Sequence, residues 1–121
     1  MADTTPQQAE ESYRRFLATI RNGSAVWGLK CDEGWAKWSP REDGAEAIVP
    51  FWSTIQEAQA CARVTFPNYR PESLEADEFV NEWLVRLQDL GLFVGANLTP
   101  SMAGIDVRPD HIVDELGSYG G

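Results

Sequence analysis

The sequence predicts an α+β fold: one mainly antiparallel sheet of about five strands, with three main helices packed on it and a short C-terminal helix. Two patterns lead there. Apolar residues recur at helical spacing in three longer stretches, and they alternate in several shorter ones. The resulting order, α-β-β-β-α-α-β-β, lacks the strand–helix alternation of a parallel α/β sheet. One domain is expected over residues 1–116, with a loose tail at 117–121.

The first helix is expected over residues 6–21. Thr5 can cap it, Pro6 suits the first helical position, and Gln8 completes a capping box. Ala9, Tyr13, Phe16, Leu17 and Ile20 then share a face, and Asn22-Gly23 stops the helix. Three strand-like runs follow. Residues 25–31 place Trp27, Leu29 and Cys31 on one face, and Asp32-Glu33-Gly34 reads as a hairpin turn. Residues 35–39 return, with Trp35 and Trp38 on opposite faces. A charged loop at 40–44 leads to a third run at 45–51, aligning Ala47, Val49 and Phe51. Pro50 removes one ladder donor near its end.

Ser53 with Gln56 forms a second capping box, opening a helix to about residue 64 that turns Ile55, Ala58, Cys61 and Ala62 inward. Residues 66–71 read as an irregular linker. Ser73 is the expected cap of a third helix, whose stripe is Leu74, Phe79, Val80, Trp83, Leu84, Leu87 and Leu90. Gly91 ends it, residues 92–96 and 104–108 form a last hairpin, and residues 110–116 a closing helix.

Nineteen acidic residues against ten basic ones give a net charge of −9. Phosphate backbones and anionic membranes are attracted by clustered Lys and Arg, and here only Arg14-Arg15 are adjacent. Neither nucleic acid nor a membrane is therefore an expected partner; a basic protein is. No apolar run approaches a membrane span or a signal peptide, so a cytoplasmic location is expected, with Cys31 and Cys61 reduced.

Chemistry-bearing patterns are sparse. The chain has one histidine, His111, no CxxC pair and no glycine-rich phosphate loop, so no metal or cofactor is expected. Cys31 and Cys61 each share a face with apolar residues and read as structural. Glu75, Glu78 and Glu82 fall on one face of the third helix, continued by Asp89, with Arg86 placed to pair with Glu82. They read first as the solvated outer face of the helix and next as an acidic docking ridge, ahead of a catalytic pair. The five tryptophans are the strongest feature. Trp83 reads as core, as do Trp27 and Trp38. Trp35 is forced to the face opposite Trp38, and Trp52 precedes the Ser53 cap without an apolar staple partner at Glu57. Trp35, Trp52 and Tyr69 are thus the residues of a candidate aromatic pocket.

Several of these blocks recur together in a known family. Val26-Trp27, Gly34-Trp35-Ala36, Val49-Pro50-Phe51-Trp52-Ser53, Phe79 with Trp83-Leu84 and Leu87, and Gly95-Ala96-Asn97 before Gly104 resemble the bacterial domain-of-unknown-function 2750 family over roughly residues 13–110. The resemblance implies a small bacterial cytosolic protein without an established activity, and it supplies no catalytic residues. The expected function is a non-enzymatic acidic protein-binding module, of which a toxin-neutralising immunity-type protein is one form. A small-ligand-binding domain with an aromatic pocket and an enzyme of unrecognised type are the alternatives.

Overall fold

The computed structural model describes residues 5–38, 47–101 and 103–117. The expected loop at 40–44, the first residues of the third strand, the last of the second and the tail at 118–121 lie outside the described residues. The class is α+β, but the sheet and the placing of the helices differ from expectation.

Helix α1 (Pro6–Arg21) forms as its sequence dictates. The Thr5 hydroxyl accepts from the Gln8 amide at 3.1 Å, and the Gln8 side chain accepts from the Thr5 amide at 2.9 Å. Its buried face is Ala9, Tyr13, Phe16, Leu17 and Ile20. Strand β1 (Val26–Cys31) turns into β2 (Gly34–Trp35), which pairs with it for only two residues. The expected run at 35–39 is cut short because the chain changes neighbours. Ala36 still donates to the Leu29 carbonyl, but Trp38 exchanges hydrogen bonds with Ile48 of β3 (Ile48–Phe51). The segment after β2 therefore bridges two strands instead of extending along one.

Strand β4 (Arg70–Leu74) occupies residues expected to be linker and helix start. It runs antiparallel to β1, setting Leu74 opposite Val26 and Arg70 opposite Lys30. Pro71 disfavours a helical Arg70, and the free edge of β1 needs a partner for its backbone groups. Leu29 sends its carbonyl to Ala36 on the other side, so the missing N–H of Pro71 faces outward from the ladder. Ser73 is consequently a strand residue, not a cap, and the next helix begins after Glu75.

Residues 76–90 make one continuous rod in three parts: α3 (Ala76–Glu78), a π turn (Phe79–Trp83) and α4 (Leu84–Leu90). In the π turn the Leu84 amide donates to the Phe79 carbonyl, five residues back. That extra residue shifts the helical phase, so the buried positions step Ala76, Phe79, Leu84, Leu87. The expected stripe is corrected accordingly. Leu74 belongs to β4, Val80 and Trp83 are half-buried, and Leu90 is exposed.

Instead of one antiparallel sheet there are two three-stranded ladders, β2-β1-β4 and β3-β5-β6, with β5 (Phe93–Ala96) and β6 (Ile105–Val107). The first is antiparallel; in the second β3 and β5 are parallel and β5 and β6 antiparallel. Trp27 and Trp52 join the ladders by exchanging both main-chain hydrogen bonds, at 2.8 and 2.7 Å. Helices cover both faces of this joined sheet. α1, the rod and α5 (Pro109–Leu116) enclose a core of Phe16, Ile20, Val26, Phe51, Phe79 and Val94. On the other face α2 (Ile55–Val64) packs Ala58 and Cys61 onto Leu29, Ala36, Trp52 and Leu98. Such a sheet must be apolar on both sides, and all four residues of β3 are buried.

Gly28 is where β1 admits a large ring. Trp35 lies over it, and a Cβ at residue 28 would sit 2.7 Å from the Trp35 ring and 3.3 Å from Phe51. Gly28→Ala is therefore expected to cost about 1–3 kcal/mol, as overpacked cores do, and to red-shift tryptophan emission as Trp35 is displaced. Melting and emission indistinguishable from the parent chain would contradict this packing.

Candidate functional site

The parallel strands β3 and β5 end side by side, and α2 begins there. In open α/β sheets the carboxyl ends of parallel strands are where ligands gather. Here the chain fills that position itself. Asn97 stands immediately after β5 in the left-handed region, with φ of 52°, and is 4% exposed. Its Oδ1 accepts from the Ser53 amide at 2.8 Å, and its Nδ2 donates to the Ser12 carbonyl at 3.0 Å and the Ser53 hydroxyl at 2.9 Å. The Asn97 amide donates to Phe51. One residue thus ties α1, β3 and the α2 entry together. Asparagine tolerates this backbone conformation better than other side-chain-bearing residues do.

Next to it, the Trp52 indole N–H donates to the Leu98 carbonyl at 2.9 Å, and the Cys61 thiol points at the same oxygen at 3.4 Å. Burial pushes the Cys61 thiol up to about 11, which keeps it protonated and unreactive. The α2 cap is Thr54, one residue later than expected, and its hydroxyl accepts from the Glu57 amide at 3.2 Å. Trp52 is then two residues before the cap, so the missing staple partner has no bearing on where it packs. Arg15 grips Glu57 with two hydrogen bonds of 2.8 Å. Burial alone would raise the Glu57 carboxyl, but hydrogen bonds from Arg15 and Thr54 outweigh it and hold it below its ordinary value.

The three aromatic candidates do not meet. Trp52 is wholly buried. Trp35 is half-buried on the α1 and rod face, with its ring 4.8 Å from Trp83 and 6.5 Å from Phe51. Tyr69 lies on the opposite face against Phe66, at 5.5 Å. The expected pocket of Trp35, Trp52 and Tyr69 is therefore replaced by two separate aromatic surfaces with a buried indole. Tyr69 does line a cavity of about 450 Å³, but its companions are Gln59, Arg63, Arg70 and prolines. A hydrogen bond with the Cys31 thiol raises the Tyr69 phenol above its ordinary value.

The acidic ridge is also divided. Glu75, Glu78, Glu82 and Asp89 are all exposed, but the π turn inserts about one residue, roughly a 100° rotation, between the first two and Asp89. Arg86 lies over the Trp83 ring at 5.8 Å and forms no ion pair with Glu82. Asp89 instead joins residues that sequence reasoning did not select. With Val85 of α4 and Pro109, Asp110, Val113 and Asp114 of α5 it lines a trough of about 240 Å³ floored by Leu84. The Asp110 amide donates to Gln88 Oε1 at 3.1 Å, which fixes the two helices across it. A second hollow of about 310 Å³ continues past Gln88 and Pro109 to Leu92 and Arg108. Val85 is 54% and Val113 42% exposed, leaving apolar walls open between carboxylates. The only sequence signal for this trough was apolar residues on the outer side of two amphipathic helices.

His111 is exposed, 3.2 Å from Glu115, with its ring stacked against Tyr13 at 6.4 Å. Beneath it the Tyr13 hydroxyl is buried without a hydrogen-bond partner. Burial first, then the Glu115 carboxylate, pushes its phenol up to about 12, partly offset by Arg21.

Two outcomes follow from this chemistry. Asn97→Ala is expected to cost roughly 2–4 kcal/mol, because it strains a left-handed residue and strands the Ser53 amide and the Ser12 carbonyl; chemical denaturation measures it. A loss below about 1 kcal/mol would rule out the clamp. Tyr13→Phe removes an unpartnered hydroxyl and is expected to stabilise the chain by about 1 kcal/mol. The unfolded phenol ionises near 10 and the folded one near 12, so Tyr13 contributes its full stability below pH 10 and loses it as the pH rises towards 12. Tyr13→Phe should flatten that alkaline loss in pH-dependent melts.

Among the described residues no helix is long and apolar enough to cross a membrane, and no cluster of three His, Cys, Asp or Glu could hold a metal. No curated protein and no solved structure matches the chain. The model of one family, described as protein of unknown function (DUF2750), matches residues 13–116, a span holding Asn97 and Ser53, both aromatic surfaces and the trough. The chain belongs to the DUF2750 family.

Proposed function

We propose that this protein is a non-enzymatic acidic binding module whose trough between α4 and α5 receives an apolar, basic segment of a partner protein. The observation that supports this reading is the trough itself: Val85 and Val113 stand open beside Asp89, Asp110 and Asp114. At about 240 Å³ it is below the usual range for a drug-sized ligand, but it suits a few apolar side chains of a docked segment. The carboxylates would steer a basic partner, and the valines would supply the desolvated contact. The chain's net charge of −9 acts in the same direction at longer range.

A toxin-neutralising, immunity-type protein in the bacterial cytoplasm is the biological form that fits this chemistry, its target a basic enzyme such as a nuclease. Glu75, Glu78 and Glu82 would then lie on the flank of the rod and add to steering rather than to the seated contact.

The test uses the full chain as bait in the native host, beside a Val85→Lys/Val113→Lys variant. A partner held by the parent chain and lost by the variant, with affinity falling at least ~10-fold between about 50 and 500 mM salt, is the expected result. Partners retained equally by both baits, or an affinity insensitive to salt, would sink the proposal.

A further inference from the structure

Val85-Arg86 and Asp89-Leu90 mirror each other along the outer side of α4. Leu84 and Leu87 face the core, so the helix turns these four residues to solvent. Among the described residues the large exposed apolar side chains are Val64, Val85, Leu90 and Val113, and three of the four stand on α4 and the neighbouring α5. Apolar side chains gathered on one surface mark a contact. The charges between them are unpaired. Arg86 lies back over the Trp83 ring at 5.8 Å and forms no ion pair with Asp89, although residues three apart are neighbours on a helix. Asp89 likewise makes no ion pair and no hydrogen bond among the described residues.

The spacing is symmetric about the peptide bond between Leu87 and Gln88. Val85 and Leu90 lie equally far from it, and so do Arg86 and Asp89. A two-fold axis through that point, perpendicular to the helix, lays a second α4 antiparallel on the first. It brings Val85 of each copy to Leu90 of the other, and Arg86 to Asp89. The helical angles agree. At about 100° per residue Asp89 stands on the outermost line, with Val85 on one side and Arg86 and Leu90 on the other. Their neighbours show the same division, since Val85 borders the trough and Arg86 the Trp83 ring. The two-fold exchanges the two sides, so valine meets leucine and guanidinium meets carboxylate.

We infer that the outer face of α4 binds a second copy of this chain, the two helices packing antiparallel with reciprocal Val85–Leu90 contacts and Arg86–Asp89 ion pairs. The contact is isologous and closes on itself, so it makes dimers and not filaments. Val113, across the trough from Asp89, widens the apolar strip. The net charge of −9 on each copy opposes association, and physiological salt screens that repulsion over about 8 Å. Dimerisation covers Val85 and Asp89, which also line the α4–α5 trough, so a second copy and a docked partner exclude each other. The inference stands on α4 itself and holds whether or not the trough has a partner.

Sedimentation equilibrium of the purified full chain in about 150 mM salt tests it. The expected result is a reversible monomer–dimer equilibrium at concentrations below about 500 μM. Arg86→Asp and Asp89→Arg, made singly, set like charges opposite each other and should each weaken the dimer at least ~10-fold. One of them raises the net negative charge and the other lowers it, so weakening by both is not an effect of net charge. The double variant Arg86→Asp/Asp89→Arg keeps the parent's net charge and restores opposite charges across the two-fold. It should recover the parent's affinity to within about threefold. Both positions are exposed, and circular dichroism of each variant checks that the fold is kept. A chain that stays monomeric up to about 500 μM, or a double variant as weak as either single one, would overturn the inference.

Discussion

Trp27 and Trp52 exchange both of their main-chain hydrogen bonds, at 2.8 and 2.7 Å, and the remaining architecture is arranged around that seam. Without it the β2-β1-β4 and β3-β5-β6 ladders would be separate, joined only at Trp38 and Ile48. The seam also fixes where Trp52 sits, and its indole N–H then has the Leu98 carbonyl as partner. That carbonyl is held in place by the turn at Asn97, whose side chain reaches Ser53 and Ser12. Each such bond is worth only about 1 kcal/mol net, but each is buried, and a buried donor left without its acceptor costs more than the bond supplies. The network therefore behaves as one unit. It sets the angle at which α1 and α2 leave the sheet, and hence which faces of these helices remain open.

What could be read from the sequence was what local chemistry decides. The Thr5, Pro6 and Gln8 cap with an unbroken apolar face fixes α1 without help from the fold. The alternation that puts Trp35 and Trp38 on opposite faces holds, since one packs with Phe51 and the other with the α2 cluster. Residues 70–74 were not legible, because their pairing is decided by the unfilled edge of β1, forty or more positions away. The π turn was hidden for a different reason. Phe79, Val80, Trp83, Leu84 and Leu87 suit an α-helix as well as a phase-shifted one, and only packing against Phe51 and Trp35 selects between them. Of the candidate site, Tyr69 and Asp89 were visible singly. Their companions Arg63, Arg70, Asp110 and Asp114 are ordinary exposed residues until the fold brings them together.

The carboxyl end of the parallel pair is closed by the chain itself. β3 and β5 would offer a ligand the crevice beyond their carboxyl ends. Asn97, Ser12 and Ser53 use that space for hydrogen bonds among themselves, and the Arg15–Glu57 pair lies beside it on α1 and α2. The open hollows lie instead on the outer layers. There the two-faced sheet separates two chemistries, an acidic apolar trough over α4 and α5 and a basic aromatic cavity over α2 and β4. Joined on one face they would neutralise each other, since guanidiniums within reach of Asp89 or Asp114 would pair with them. The joined sheet, apolar on both faces, is what keeps them apart. Its α2 side is filled by the wholly buried Trp52, so each surface keeps its own charge.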